Sequence, residues 1–264
     1  MNKKLLVIFM SGVLGAMTAW AADDANTYVA TGFDYSTGNY GSNSTTTILS
    51  IPIMGMYRTG PWMFKLTVPY VRITGDGSVV SGLGGAVSGQ GNVVSGGTGS
   101  KSSSTTRSGL GDVIAAATYN IYSGSANDFL VDLSGKVKFG TADTGIGTGE
   151  NDYAAQVDVY QSFDRFTAMG GLGYEVLGSP AGVDMNNVAY GILGGYYQVT
   201  DQTGGGVQMK VSQKPSLIGA EQRELTAYVS HNIHENLTMR AYVLKGFADG
   251  SPDSGFGLLI TSGF

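Results

Sequence analysis

From Phe129 to Phe139 apolar and polar positions alternate without a break. Phe129, Val131, Leu133, Gly135, Val137 and Phe139 share one phase, and Leu130, Asp132, Ser134, Lys136 and Lys138 share the other. Period two is the mark of a β-strand with one apolar and one polar face. The apolar face begins and ends with Phe, as a strand does when both ends sit at membrane–water interfaces. Extended at about 3.3 Å per residue and tilted by about 45°, the run covers about 25 Å, the height of the apolar band of an outer-membrane barrel. The pattern predicts a transmembrane strand.

The same rhythm recurs along the chain. Strands are expected at 27–36, 45–57, 62–74, 110–122, 129–139, 151–163, 166–177, 187–199, around 207–214, and at 222–233, 237–247 and 255–264. In the eighth, Val188, Tyr190, Ile192 and Tyr196 form the apolar phase. Pro69 marks a bulge in the third, because proline cannot donate to a ladder. The links sort by parity. Those after even strands are short (58–61, 164–165, 201–202, 234–236), and those after odd strands are longer, above all the Gly-, Ser-, Thr- and Val-rich stretch 75–108. That stretch is too poor in large apolar residues to build a core of its own. Short turns on one side and long loops on the other, with an even strand number, are the habit of bacterial outer-membrane barrels. Aromatics sort likewise. Tyr57, Trp62, Phe129, Phe163, Phe166 and Phe264 fall at the short-turn end, and Tyr35, Phe139, Tyr153, Tyr174, Tyr190, Phe247 and Phe256 at the long-loop end. Lipid offers no partner to an open sheet edge, so the sheet must close. The expected fold is all-β: a transmembrane antiparallel up-and-down β-barrel of 12 strands, with a soluble all-β barrel as the alternative.

The N-terminus adds a compartment. Lys3 and Lys4, an apolar run over 5–17 and Ala19-Trp20-Ala21 form a bacterial secretory signal. Cleavage is expected after Ala21, since cutting after Ala22 would leave bulky Trp20 three positions back. A spanning helix needs about twenty apolar residues, more than this run supplies. The organisation is therefore a signal peptide at 1–21 and a barrel at 22–264, in the bacterial outer membrane. There is no Cys, so an exported chain must rely on packing and backbone hydrogen bonds rather than disulfides. A net charge of −5 argues against nucleic acid as a partner. Outer-membrane lipid, lipopolysaccharide and a small-molecule solute are the expected partners.

Three segments carry a resemblance: IPIMGMYRTGPWMFKLTVPYVRITG (51–75), SGLGDVIAAATYNIY (108–122) and KVKFGTADTGIGTGENDYAAQVDVYQSF (136–163). Over about 51–174, including GLGD at 109–112 and GTG-x-x-D-Y at 147–153, the chain resembles a family of outer-membrane proteins. That family is named for the MetA pathway of phenol degradation and regarded as transporters. The chain departs from it in lacking a Pro near Gly140-Thr141. The resemblance implies an outer-membrane barrel and passage of aromatic or other small organic compounds, without naming a substrate or any catalytic residue. Phe264, with Ile260, Leu258 and Phe256 in phase, also resembles the signal read by the outer-membrane assembly machinery.

If the apolar faces meet lipid, the other faces line a lumen. Asp112, Asp132, Lys136, Lys138, Asp158, Tyr160, Glu175, Lys210, Lys214, Glu224, Tyr228, Arg240 and Tyr242 fall there. A Lys or Arg at mid-membrane on the lipid face costs about 2–4 kcal/mol, which favours the inward assignment. Two interiors fit: a hydrophilic channel with the tyrosines as stacking surfaces, or a filled barrel whose acids and bases neutralise one another. About eight strands are filled by side chains and about sixteen leave a channel, so twelve lies between. Mixed signs argue against strong ion selectivity. The 75–108 loop either folds into the mouth as a constriction or covers it from outside.

Catalysis and metal binding find little support. Ser230 and His231 are neighbours on a strand, so they point to opposite faces and cannot pair as nucleophile and base. Asp143, Glu150 and Asp152 lack calcium-loop spacing, and Gly109-Leu110-Gly111-Asp112 precedes no helix, so neither a metal nor a phosphate-binding loop is expected, nor any cofactor. The expected function is an outer-membrane channel or transporter for passive passage of small solutes, with small organic or aromatic compounds in range. The alternative is a barrel acting as a surface adhesion or structural protein through its loops, or as a lipid-modifying enzyme.

Overall fold

The computed structural model describes residues 6–9, 16–19, 26–42, 44–75, 77–83, 85–88, 104–124, 129–180, 183–217 and 219–264. Twelve strands close into one antiparallel sheet: β1 (Thr27–Gly38), β2 (Thr46–Thr59), β3 (Trp62–Gly75), β4 (in two segments, Thr105–Leu110 and Val113–Gly124), β5 (Phe129–Phe139), β6 (Asp152–Phe163), β7 (Phe166–Val176), β8 (Val188–Gln198), β9 (Thr203–Ser212), β10 (Gln222–His234), β11 (Leu237–Gly246) and β12 (Ser254–Gly263). Each strand pairs with its neighbours in sequence, and β12 returns to β1 with Phe256 opposite Tyr35. The up-and-down ring leaves no edge to satisfy in lipid. The links at one end are 60–61, 125–128, 164–165, 199–202 and 235–236; at the other they are 39–45, 76–104, 140–151, 177–187, 213–221 and 247–253. Both chain ends of the barrel lie at the short-turn end, the arrangement outer-membrane barrels share.

The alternation read along the strands becomes the two sides of the wall. β6 runs buried and exposed by turns from Asp152 to Tyr160. Leu172 and Leu193 on the outside are 74% and 72% exposed, whereas Gln156 and Asp158 on the inside are 2% and 3%. Apolar residues left in the open on a continuous outer surface are what a lipid solvent asks for. The short-turn belt packs ring on ring: Trp62 against Phe64 at 5.7 Å and Tyr119 at 4.7 Å, Phe163 against Phe166 at 6.5 Å. The long-loop belt includes Tyr35 against Phe256 at 5.1 Å. Tyr190 does not belong to it. Tyr190, with Val188 and Tyr196, is buried on the inner side, while Leu193 and Tyr197 face out. Both phases of β8 are apolar or small, so alternation alone could not orient that strand.

The ladder breaks where the chemistry requires. Tyr70 pairs with Leu110 and Thr67 with Ile114, so β4 carries one residue more than β3 between those pairs. The bulge expected at Pro69 therefore lies on the partner strand, at Gly111-Asp112, where the Gly111 N–H donates to the Pro69 carbonyl at 2.8 Å. β4 also begins earlier than expected, at Thr105. Within the expected leader, Leu6–Phe9 pairs with Ala16–Ala19 as a separate two-stranded sheet, and the expected cleavage site at Ala21 lies outside the described residues.

Candidate transport lumen

Walking across the wall at right angles to the strands shows which inner residues lie side by side. One path runs Tyr28, Met56, Lys65, Ala116, Lys136, Ala154, Glu175, Val188. A second runs Asn120, Asp132, Asp158, Gly171, Ile192, Lys210, Glu224. A third runs Tyr196, Gly206, Tyr228, Tyr242, Gly257, Asp34. Small residues punctuate these paths, and Gly171, Gly206 and Gly257 leave room for Asp158, Tyr228 and Tyr242 to lie against the wall.

Two of the resembling segments, 108–122 and 136–163, meet in space at the long-loop end. Lys138 Nζ lies 3.0 Å from Asp112 and 3.0 Å from Asp152, and donates to the Thr148 hydroxyl at 3.0 Å. All three charged side chains are buried. Each carboxylate takes a backbone donor as well: Ala142 N–H to Asp112 at 2.9 Å, Gly178 N–H to Asp152 at 2.9 Å. A buried ion triad holds only when its remaining lone pairs are met, and here they are. GLGD, KVKFG and GTGEND are therefore one clamp that ties β4, β5, β6 and the loop between the last two. Asp143 accepts the Leu110 N–H at 2.8 Å in the same region, so Asp143 and Asp152 serve the backbone and the clamp.

Further along the lumen the pairs are looser. Asn120 donates to Asp132 at 2.7 Å, Gln156 to Asp158 at 2.6 Å, and Lys136 to Gln156 at 3.3 Å. Lys210 sits over the Tyr190 ring at 5.7 Å and pairs across the ladder with Glu224. Arg240 donates from Nε to Ser230 at 2.8 Å and lies over the Tyr228 ring at 5.0 Å. Tyr228 stacks on Tyr196 at 6.3 Å, and Tyr242 completes the cluster. The Tyr228 and Tyr242 hydroxyls are buried without a hydrogen-bond partner among the described residues.

The mouth is covered by loops. After β3, 79–82 pairs with 85–88 in a small hairpin. Val79 and Val80 are buried, with Val79 packed on Ile48, Val71, Ile73, Tyr40 and Ile146. On one side the Ser81 N–H donates to the Ile146 carbonyl at 3.0 Å; on the other, Gln222 of β10 donates to the Ala86 carbonyl at 3.0 Å. The described part of the long loop thus folds into the mouth rather than standing outside it; residues 89–103 lie outside the described residues. Burial pushes the Tyr40 phenol above its usual range, and its hydroxyl donates to Ser36 at 2.8 Å.

Of the expected lining residues, Asp112, Asp132, Lys136, Lys138, Asp158, Tyr160, Glu175, Lys210, Glu224, Tyr228, Arg240 and Tyr242 are buried on the inner side. Lys214 is not among them. β9 ends at Ser212, Pro215 cannot continue the ladder, and Lys214 is exposed in the external loop. Ser230 points inward, while His231 bonds Thr203 from the outer face at 2.8 Å, so the two stay apart. Asp34, Arg58, Lys65 and Gln156 also face inward, as do Tyr190 and Tyr196, which alternation alone assigns to the lipid side. Asp34 and Lys65 stood in the same phase as the others, between Phe33 and Tyr35 and between Phe64 and Leu66. Arg58 lies in a stretch that reads as a turn, but β2 runs on to Thr59.

Against solved structures the barrel has clear likenesses. An outer-membrane channel from Pseudomonas putida F1 matches with a TM-score of 0.68 over 94% of this chain and 99% of its own, at 11% identity. The fold is that of an outer-membrane β-barrel. The KdgM porin, solved in complex with disordered oligogalacturonate, matches with a TM-score of 0.51 over 90% of this chain and 99% of its own, at 7% identity. The β-domain of the Bordetella autotransporter Brka gives 0.52 over 91% and 100%, at 13% identity. No family model matches the chain, and no curated protein matches it.

Proposed function

We propose that this outer-membrane barrel passes small solutes passively across the membrane, small organic or aromatic compounds among them. The observation that carries the reading is the inversion of the wall: apolar outside, and inside a lumen of Asp, Glu, Lys, Arg and Tyr. A barrel that served only to display loops has no need of ionisable groups through its interior, where each must be desolvated and matched. The likeness to a Pseudomonas putida outer-membrane channel over nearly the whole of both chains supports it, as does the resemblance of 51–174 to the phenol-degradation barrel family. The leader at 1–21 and the terminal Phe264 fit export and recognition by the assembly machinery.

Single-channel conductance of the refolded protein in a planar bilayer tests the reading, beside a variant lacking 82–104. Steady conductance is expected, rising in the deletion variant because the hairpin that covers the mouth is lost. Silence in both would remove the water-filled pore and leave a surface role through the loops.

A further inference from the structure

The lumen cations differ in one respect. Lys138 has Asp112 and Asp152, Lys136 has Gln156, Lys210 faces Glu224 across the ladder, and Arg240 has Ser230. Among the described residues Arg58 and Lys65 have neither a side-chain hydrogen bond nor a salt bridge. Register makes them diagonal neighbours on the inner face: Arg58 pairs with Met63, and Met56 with Lys65. Diagonal positions sit about 7–8 Å apart, a gap that one anion held between two long side chains can bridge.

The orientation of Arg58 is specific. Its guanidinium lies over the inward Tyr28 ring at 5.8 Å, and its backbone N–H donates to the Asn26 carbonyl at 2.7 Å, so both ends of the residue are held. Nε and Nη2, the edge of the fork that takes a carboxylate two-handed, are buried with no hydrogen-bond partner among the described residues. Tyr28, Met56 and Met63 around it are buried and apolar. A buried donor edge beside a second cation, set among apolar walls, suits an oxyanion with an apolar body.

We propose that Arg58 and Lys65 form a subsite for small organic carboxylates at the short-turn end of the lumen. Its role in passage rests on the channel reading; its existence does not. The carboxylate bridges the Arg58 Nε–Nη2 edge and the Lys65 ammonium, while the body of the ligand lies against Tyr28 and the two methionines.

Equilibrium binding to the detergent-folded full chain tests this with benzoate, neutral benzamide and inorganic phosphate as probes. Benzoate should bind at least tenfold tighter than benzamide, and Arg58→Met or Lys65→Met should weaken it at least tenfold. Arg58→Lys, which keeps the charge but not the fork, should lose most of that affinity. Retained mobility of unheated protein in a denaturing gel shows that each variant is folded. The subsite is overturned by absent benzoate binding, by equal binding of benzamide, by folded variants that bind as the parent does, or by phosphate binding tighter than benzoate. Bilayer conductance separates the two readings. Lost binding with steady current removes the subsite alone, and intact binding with no current removes the channel alone.

Discussion

Lys138 shows how much one residue can carry. Its ammonium sits between two buried carboxylates and a hydroxyl, and those carboxylates in turn hold the backbone of two loops. Lys138→Met leaves Asp112 and Asp152 buried and unmatched. Breaking such a site from one side costs about 3–5 kcal/mol. Urea unfolding of the refolded barrel should show that loss, and Lys136→Met, whose hydrogen bond is to a neutral amide, should show clearly less. A result with the two reversed would mean the motif triad is not the tie it looks. Tyr242 predicts the opposite sign. Its hydroxyl is buried and unpartnered, and an unmet polar group costs about 1–3 kcal/mol to bury. Tyr242→Phe should therefore leave the unfolding free energy unchanged or raise it, whereas Tyr242→Ala, which empties the space over Gly257, should lower it by about 3–5 kcal/mol in the same assay.

At the scale of the element, alternation made the strands legible because each has one inside and one outside, with nothing between. The positions of most strands and the facing of most of their side chains follow from it, and so does the parity of the links. Where the two faces resemble each other the signal fades: β8 carries Tyr190 and Tyr196 inside and Leu193 and Tyr197 outside, and only its neighbours decide which is which. Tyr rings at these inner positions lie over glycines of the next strand. A Cβ on Gly257 would meet the Tyr242 ring at 2.5 Å, and one on Gly206 the Tyr228 hydroxyl at 2.6 Å and the Gly195 carbonyl at 2.5 Å. Such cross-strand fits are invisible to a reading that takes strands one at a time, and so was the meeting of Asp112, Lys138 and Asp152 across three of them. The mouth was illegible for another reason. The long loop is mostly small residues, and its fold depends on Val79 reaching Ile48 and Ile146, far away in the chain. Val79→Asp places a charge in that cluster. It should release the hairpin, making 77–88 at least about tenfold more sensitive to protease, since opening then governs cleavage. Unchanged cleavage would mean the hairpin is held by its flanking hydrogen bonds at Ser81 and Ala86 instead.

For the whole molecule the decisive property is which side of the wall is which, since channel, subsite and mouth all depend on it. Leu193 and Gln208 give a matched pair for testing that, because they lie on adjacent strands near mid-height and face opposite ways. Leu193 of β8 is 72% exposed on the outside and pairs with Met209; Gln208 of β9 pairs with Gly194 on the inner face. In lipid, Leu193→Arg puts a guanidinium into hydrocarbon near the middle of the band, at about 2–4 kcal/mol. Gln208→Arg puts the same group among Glu, Tyr and backbone dipoles inside, where no such penalty applies. Reversible urea unfolding from lipid vesicles should therefore separate the two variants by about 2–4 kcal/mol, with Leu193→Arg the less stable. In detergent the gap should shrink, since a micelle lets a long side chain reach water more easily. Equal losses in vesicles would mean that lipid and lumen are not where the alternation puts them.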